Sequence, residues 1–304
     1  MPAFQGERMH VYGEFIRELV GRVLDQWPLG RRFELHHQVQ EITLDIILRI
    51  VLGHAEGPAY ERLRGSVARF LWAVSSPSAL LFSHPEGTVA FRSLQESLGR
   101  LSPWGYVAHR FREIDELLFA EPARRRPRLG GEDVLAMMIA ARDERGSSLD
   151  DRALRDELLT FILAGHETSA ALLAAAVFRL LAHPDVLAQV RDEVAGVAGE
   201  GPIEPQRVAE LRYLDAVLKE TLRLQPVVPT VMRYVEAPMR FGSRDYPGGI
   251  YVAPCSYLVH HRPDVWREPL RFEPRRFLDD KPSLSTYFPF GGGARHCIGM
   301  AFAM

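Results

Sequence analysis

Cysteine is scarce in this chain, with only Cys255 and Cys297 among 304 residues. Two cysteines are too few for a disulfide-stapled scaffold, and they favour a reducing compartment. An excess of one charge is also missing, because 37 lysines and arginines face 39 aspartates and glutamates, for a formal net charge of −2. This balance argues against a nucleic-acid-binding protein and against an acidic, disordered tail.

Long hydrophobic runs are absent as well. The longest uninterrupted one, Ala170 to Phe178, is far shorter than the ~18 residues typical of a membrane span. The first ten residues, MPAFQGERMH, lack the pattern of a signal peptide. We therefore expect a cytoplasmic protein with no membrane segment in this chain, although a preceding segment could carry an anchor. The last residues, 297–304, resemble an apolar helix start without a cap, so we expect a truncated end.

Helical periodicity dominates the first three-quarters of the chain. Predicted helices cover 7–26, 33–52, 56–74, 105–119, 133–145, 150–182, 184–198 and 209–224. The stretches 75–87 and 121–131 are rich in proline, glycine or arginine and predict loops. The longest helix would run about 50 Å at ~1.5 Å per residue, which makes it the axis of the fold.

The pattern changes after residue 225. Short β-rich pieces at 230–235, 239–241 and 250–252, the last two flanking SRDYPGG, predict a small sheet with a hairpin. Recurrent prolines from 262 to 289 predict an ordered coil around aromatic anchors, namely Trp266, Phe272, Phe277 and Phe288. No convincing linker divides the chain. We expect one domain over 1–304, mostly helical over 1–225, with a small β region over 226–261 and a coil and glycine-rich loop over 262–304.

The strongest local motif is the glycine-rich segment 290–299, which reads FGGGARHCIG. It is not a dinucleotide-binding loop, because His296 stands where that pattern requires glycine. Backbone amides at a loop-to-helix junction could stabilise a Cys297 thiolate, and the glycines would let the main chain approach a flat ligand. A buried structural cysteine in a turn is the alternative.

A second motif, AGHETS over 164–169, places polar residues in the middle of an apolar helix. Such residues cost desolvation free energy unless they are paired or used. A zinc-protease motif is excluded, because Ala170 stands where the second histidine would fall. The motif indicates either a functional site or a helix kink with a satisfied polar cluster.

A third pattern pairs Glu220 with Arg223 on one predicted helix face, by default a weak surface ion pair. About fifty residues later, the arginines of FEPRRF over 272–277 could complete a charged cluster with Glu220.

Together, the motifs Ala-Gly-x-Glu-Thr-Ser, Glu-x-x-Arg, Pro-x-Arg-Phe and Phe-x-x-Gly-x-Arg-x-Cys-x-Gly, in this order, resemble the cytochrome P450 family of haem-thiolate monooxygenases. The four motifs span 164–299, the resemblance covers essentially all of the chain, and it implies a mainly α fold with a small β subdomain. Compared with that fold the chain is expected to be incomplete, lacking the N-terminal sheet and helices and the C-terminal strands. Residues 262–304 then resemble the family's meander and haem-thiolate loop.

The resemblance also implies roles for single residues around a bound haem b. Cys297 would be the axial ligand of the haem iron. Thr168, with Glu167 as the neighbouring acid, would deliver protons. Other implied haem-binding residues are Arg295 and Arg233 toward the propionates, Ala164 and Gly165 along the haem face, and Phe290, Gly291 and Gly299 in the loop. Glu220, Arg223 and Arg276 would form a structural ion cluster.

The implied reaction inserts one atom of O2 into an apolar organic substrate. Electrons from NAD(P)H would arrive through a ferredoxin- or flavodoxin-type partner on the proximal face, because no flavin or nicotinamide motif is present. Seven basic against five acidic residues over 262–296 suit an acidic partner, although an ordinary solvated surface explains them equally well. A small hydrophobic substrate fits the mostly apolar positions that line the pocket in the family: Trp72, Leu80, Leu81, Phe82, Phe161 and Val227 to Val231.

Two alternatives stay open. The chain could be a non-catalytic or unstable haem-binding fragment of such an enzyme. It could also belong to a haem-thiolate enzyme that uses peroxide or isomerises its substrate without an electron partner. Thr168 argues against the second alternative, because enzymes that bypass oxygen activation can dispense with the acid–alcohol pair.

Overall fold

The computed structural model describes residues 8–53, 57–75, 103–126, 133–279 and 281–304. Its α-helices are α1 (Arg8–Leu24), α2 (Leu35–Leu52), α3 (Pro58–Ser75), α4 (Pro103–Arg125), α5 (Val134–Ala140), α6 (Asp151–Ala182), α7 (Pro184–Ala198), α8 (Arg212–Leu224), α9 (Ser256–His260), α10 (Arg276–Asp279) and α11 (Met300–Ala303). The strands are β1 (Arg233–Val235), β2 (Met239–Phe241), β3 (Arg244–Tyr246) and β4 (Ile250–Val252). The predicted class, mainly helical with a small β region, is confirmed.

Contacts divide the described residues into two compact units. One comprises those of Met1–Val39 and Glu167–Met304, and the other those of Gln40–His166. Both boundaries fall inside helices, α2 and α6, and neither falls in a linker. A single domain remains a prediction, and the two units are described separately below.

The core of the 40–166 unit is aliphatic. On α6, Leu154, Leu158 and Ile162 recur every four residues and are fully buried, as one stripe of an amphipathic helix requires. The other helices of this unit contribute further fully buried residues, among them Leu48, Val67, Ile114, Leu118 and Leu135.

Helix α4 is longer than predicted. It continues through Pro122 to Arg125, where the sequence predicts a loop from residue 121. A proline removes its own N–H donor and crowds the preceding turn, but the Pro122 carbonyl still accepts from Arg126 N at 2.9 Å. The Arg125 guanidinium also fastens this end, because it donates to the Leu52 carbonyl at 2.9 Å and contacts the Asp133 carboxylate. Residues 127–132 and the predicted loop at 76–87 lie outside the described residues.

Helix α5 is shorter than predicted and ends at Ala140 instead of residue 145. Asp143 explains the stop, because its carboxylate accepts the backbone N–H groups of Arg145 and Ser147 at 2.9 and 2.8 Å. Gly146, at φ 79°, completes the turn. An Asp side chain that satisfies local backbone donors competes with helix.

In the other unit, α7 and α8 pack through a small apolar cluster formed by Val186, Val190, Val217, Leu224 and Phe272. The predicted helix 209–224 is divided, with a 3-10 helix at Pro205–Glu210 and α8 from Arg212. Glu193 on α7 sets this start, because its carboxylate accepts the backbone N–H groups of Tyr213 and Leu214 at 2.7 and 2.9 Å.

The β region contains one strand more than predicted. Residues Arg244–Tyr246 inside the expected turn form β3, which pairs antiparallel with β2. Strand β4 pairs instead with β1, in the register Tyr234 opposite Tyr251. Strand β1 begins at Arg233, not at residue 230, because Thr230 forms only an isolated bridge with Cys255. The coil over 262–289 also contains the short helix α10.

One described helix, α6, is long and apolar enough to reach across a bilayer by length and composition. The same composition is typical of the central helix of a folded helical domain, and part of the helix is buried within the structure. By itself α6 therefore decides nothing about membranes.

The junction of α2, α4 and α5 generates the first prediction. Gly53 has φ 72°, and an added Cβ there would overlap the Asp133 carboxylate and lie 2.8 Å from Arg125. Gly146 has a similar φ of 79° with nothing within 4 Å of the same position. We expect Gly53→Ala to lower the free energy of unfolding by about 3 kcal/mol and Gly146→Ala by about 1 kcal/mol, measured by urea unfolding. Equal losses would contradict tight packing at Gly53.

Candidate functional site

The loop that carries Cys297 is closed by its own backbone. Cys297 N donates to the Phe290 carbonyl at 2.9 Å, and Gly291 N donates to the Phe288 carbonyl at 3.0 Å. Gly291 adopts φ 73°, a left-handed conformation that favours glycine. The Cys297 thiol is free and exposed, which leaves its sulfur available as a ligand. The alternative of a buried structural cysteine does not match this exposed thiol.

Two arginines predicted to bind anionic groups are exposed. Arg295 closes the 3-10 helix Gly293–Arg295 inside the cysteine loop, and Arg233 begins β1. Arg233 donates to the neighbouring Met232 carbonyl at 3.0 Å. Within the described ranges neither guanidinium forms an ion pair, so both are available to a carboxylate.

In the middle of α6, the histidine of the polar motif contacts a side chain of α2. His166 is buried, at 3% exposure, and its Nδ1 lies 3.0 Å from Thr43 Oγ1. Gly165 has a packing reason, because an added Cβ would lie 2.8 Å from Ile47 Cδ1. Ala164, by contrast, is exposed. The glycine therefore permits close approach of the α2 side chain at this point of α6.

The carboxylate of Glu167 lies next to a histidine that the sequence reasoning did not single out. Glu167 Oε1 is 3.4 Å from His36 Nε2 near the start of α2, and both side chains are about two-fifths exposed. Thr168 follows on α6 and is half-buried. The structure thus places Glu167 and Thr168 on one turn of α6, with a titratable imidazole beside the acid.

Glu220, Arg223 and Arg276 come together in a buried cluster. Arg223 Nε and Nη2 donate to the two oxygens of Glu220 at 2.7 and 2.9 Å, and both side chains are fully buried. Arg276 Nε donates to Glu220 Oε1 at 3.1 Å, and Glu273 N donates to the same oxygen at 2.9 Å. Spacing alone predicts a weak surface contact between Glu220 and Arg223. In the structure this pair is instead the centre of a desolvated network.

The remaining donors of Arg223 fix the coil that follows α9. Nη1 donates to the carbonyls of His260 and Pro269 at 2.7 and 2.8 Å, and Nη2 donates to that of Arg271 at 3.2 Å. The Trp266 ring lies 5.1 Å from the Arg223 guanidinium carbon. One guanidinium therefore organises the coil over residues 260–271.

His260 links this cluster to the segment before the cysteine loop. Its ring is fully buried, and Nε2 accepts the Phe288 N–H at 3.0 Å. Burial lowers the pKa of His260 to about 4, and the nearby Arg223 charge acts in the same direction. The imidazole is therefore neutral at neutral pH. Tyr287, whose pKa is raised by burial, stacks on this ring at 5.2 Å.

No sequence motif points to His36, Thr43 or His260. Each of these residues contacts a partner that is distant in the sequence. Thr43, for example, contacts His166, 123 residues away. A buried polar residue in an apolar helix does predict that some partner exists. Nothing in residue spacing identifies which residue it is.

Comparison with known proteins gives one family. Residues 2–304 match the family model described as Cytochrome P450. A relative from Mycobacterium tuberculosis (strain ATCC 25618 / H37Rv), named "Putative cytochrome P450 135B1", is 36% identical over 292 residues, which cover 95% of this chain and 58% of the relative. A second from the same strain, "Putative cytochrome P450 138", is 35% identical over 99% of this chain and 64% of its own length.

Solved structures agree. The structure titled "Retinoic acid bound cyanobacterial CYP120A1" aligns with a TM-score of 0.83 and 26% identity over 99% of this chain and 66% of that one. The cytochrome P450DA heme domain aligns with a TM-score of 0.81 and 25% identity. The chain spans about three-fifths of the length of the curated relatives it matches.

The buried ion pair generates the second prediction. Arg223→Met would leave the Glu220 carboxylate buried without its main partner, and we expect unfolding to become easier by about 3–5 kcal/mol. The matched control is Arg207→Met, because Arg207 and Glu210 form an exposed pair with the same spacing at 2.9 Å. That loss should stay within about 0.5 kcal/mol in the same urea titration. Similar effects of the two variants would contradict the central role of Arg223.

Proposed function

The chain belongs to the cytochrome P450 family, and from that membership we propose that it forms part of a haem-thiolate monooxygenase. The observation that carries the proposal is the free, exposed Cys297 thiol in a loop closed on itself by the Cys297–Phe290 backbone bond. The proposed reaction inserts one atom of O2 into an apolar organic substrate.

The residues present fit a haem. The exposed thiol can donate to iron, and the glycines at 291–293 leave the loop without side chains that would keep a flat ring away. Arg295 and Arg233, exposed and free of ion pairs in the described part of the chain, suit two propionates. In this proposal Phe290, Gly291 and Gly299 shape the loop around Cys297, and an added Cβ at Gly299 would lie 4.0 Å from its sulfur.

Haem b, when bound, supplies the chemistry of reductive oxygen activation. Cys297 would hold the haem through its thiolate, and on α6 Thr168 and Glu167 would form a proton path. The Thr168 hydroxyl would donate a proton toward the bound ligand, and the Glu167 carboxylate would exchange protons with solvent. The exposed Ala164 leaves the adjacent surface of α6 without a bulky side chain.

The electrons, in this proposal, derive from NAD(P)H and reach the site through an acidic ferredoxin- or flavodoxin-type protein. Exposed cations in the segment 262–296, such as Arg267 and Arg275, support a proximal docking surface. We place the protein in the cytoplasm, because both cysteines are free, as in a reducing compartment.

The substrate is proposed to be small and hydrophobic. Of the apolar positions named from the resemblance, Trp72 and Val228 are exposed, Phe161 and Val227 are half-buried, and Leu80, Leu81 and Phe82 lie outside the described residues. Exposed aromatic and aliphatic side chains such as these favour apolar ligands.

The third prediction tests the thiolate. The holoprotein that contains this chain, reduced and exposed to carbon monoxide, should show the red-shifted Soret band of thiolate ligation. Cys297→Ala should abolish the band, whereas Cys255→Ala, which removes the other free cysteine, should keep it. Persistence of the band in Cys297→Ala would assign the ligand elsewhere. Haem binding without the red-shifted band in the unaltered protein would instead favour the non-catalytic haem-binding alternative.

The fourth prediction tests the proton path. Thr168→Ala should raise the number of electrons consumed per product molecule severalfold while haem binding stays intact, because protons would reach the oxygen less selectively. Ser169→Ala removes a neighbouring half-buried hydroxyl and should leave coupling unchanged. Coupling measured as product formed per NAD(P)H decides between these outcomes. Unchanged coupling in Thr168→Ala would remove Thr168 from the proton path.

A further inference from the structure

His260 lies between the buried ion pair and the cysteine loop and bonds to both sides. Its carbonyl accepts from Arg223 Nη1 at 2.7 Å, and its ring Nε2 accepts the Phe288 N–H at 3.0 Å. The ring is fully buried and lies edge-on to the Trp266 and Phe288 rings at centroid distances of 6.5 and 5.5 Å.

The hydrogen bond to Phe288 fixes the chemical form of this ring. Since Nε2 is an acceptor, the single proton of the neutral imidazole must be on Nδ1. In the described part of the chain, Nδ1 forms no well-aligned hydrogen bond, and the nearby Arg223 and Leu222 carbonyls satisfy its N–H only in part. Burying that N–H costs free energy that an apolar side chain would avoid. The acceptor at Nε2 is therefore what distinguishes histidine from a phenylalanine or leucine at this position.

The bond at Phe288 extends to the cysteine. The Phe288 carbonyl accepts Gly291 N at 3.0 Å, and the Phe290 carbonyl accepts Cys297 N at 2.9 Å. One hydrogen bond from a backbone N–H to the His260 ring and two between backbone groups thus connect this ring to the residue that carries the thiol.

We infer that His260 is a positioning residue that holds the start of the cysteine loop on the Glu220–Arg223 pair, and that it does so only while its ring is neutral. Protonation of Nε2 removes the acceptor, so acid releases Phe288 from the cluster. The inference rests on the proposed function only for its consequence, the loss of thiolate ligation when the loop is released.

The charges around His260 favour the neutral ring. Arg223 on α8 and the adjacent His261 act against a charged ring, whereas the Glu220 carboxylate is neutralised by Arg223 and by Arg276 on α10. The Arg223 and Leu222 carbonyls act in the opposite direction, but burial outweighs them. Tyr287 stays protonated, because burial raises its pKa.

The lowered pKa of His260, about 4, sets the pH window. The unfolded chain takes up a proton near pH 6.5, which the native ring excludes, so stability should fall as pH decreases from about 6.5 to 4. Below pH 4 the native ring itself protonates and the Phe288 bond is lost.

Amide hydrogen exchange at Phe288 in the holoprotein tests the inference directly, read by mass spectrometry with residue-level fragmentation. We expect His260→Phe, which keeps a ring but no acceptor, to speed exchange about tenfold at pH 7. His260→Gln can place an oxygen near the position of Nε2 and should retain protection. His261→Gln is the matched control, because that neighbouring ring is bound to the Tyr257 carbonyl instead.

Acid supplies the second measurement, which stands even if His260→Phe does not fold. The unaltered protein and His261→Gln should lose Phe288 protection and the red-shifted carbon monoxide band together as pH falls toward 4. His260→Gln should keep both at the same pH, because its side chain does not titrate. Equal acid midpoints in all three proteins, or unchanged exchange in His260→Phe, would overturn the inference. Absence of the band at every pH would instead refute the proposed function, while the exchange data still decide the role of His260.

Discussion

The carboxylate–guanidinium pair of Glu220 and Arg223 is the constraint on which the coil and the cysteine loop depend. Both side chains are fully buried, so each unmet polar atom would cost several kcal/mol. Arg223 therefore requires acceptors from outside α8, and the chain supplies them as three backbone carbonyls over residues 260–271. The coil over residues 260–271 has almost no regular secondary structure, but its path is defined. Any other path would leave the buried Arg223 guanidinium without acceptors.

The same helix controls the entry to the cysteine loop. Tyr287 donates its hydroxyl to the Lys219 carbonyl at 2.9 Å, and Phe288 donates to the His260 ring, whose backbone is bound by Arg223. Consecutive residues are thus tied to one turn of α8 by separate routes. A thiol that binds iron needs a fixed position and an open face, and this arrangement leaves the Cys297 side chain exposed on an anchored loop.

The sequence predicts this fold best where structure is decided locally. The bounds of α7 and β2 match the prediction, as proline at a helix start and alternation in a strand allow. Prediction from sequence fails where a contact between residues distant in the chain determines the structure. The start of α8, which depends on Glu193, is an example. The same distinction holds for the candidate site, where Cys297 can be identified from its motif alone. The hydrogen bond between His260 and Phe288, by contrast, depends on a fold that brings together two residues 28 positions apart.

Sequence charge is a poor guide to the surface that a partner meets. Over 262–296 the excess of two cations is a formal count, and ion pairs in the structure engage several of these cations. Arg262 is paired with Asp264, Arg271 with Glu268 at 3.4 Å, and Arg276 is committed to Glu220. Arg275 keeps its charge, since it bonds to the neutral Gln189. Attraction of an acidic electron donor would therefore depend on a few unpaired cations of this segment, which can orient a partner but produce only a weak long-range field.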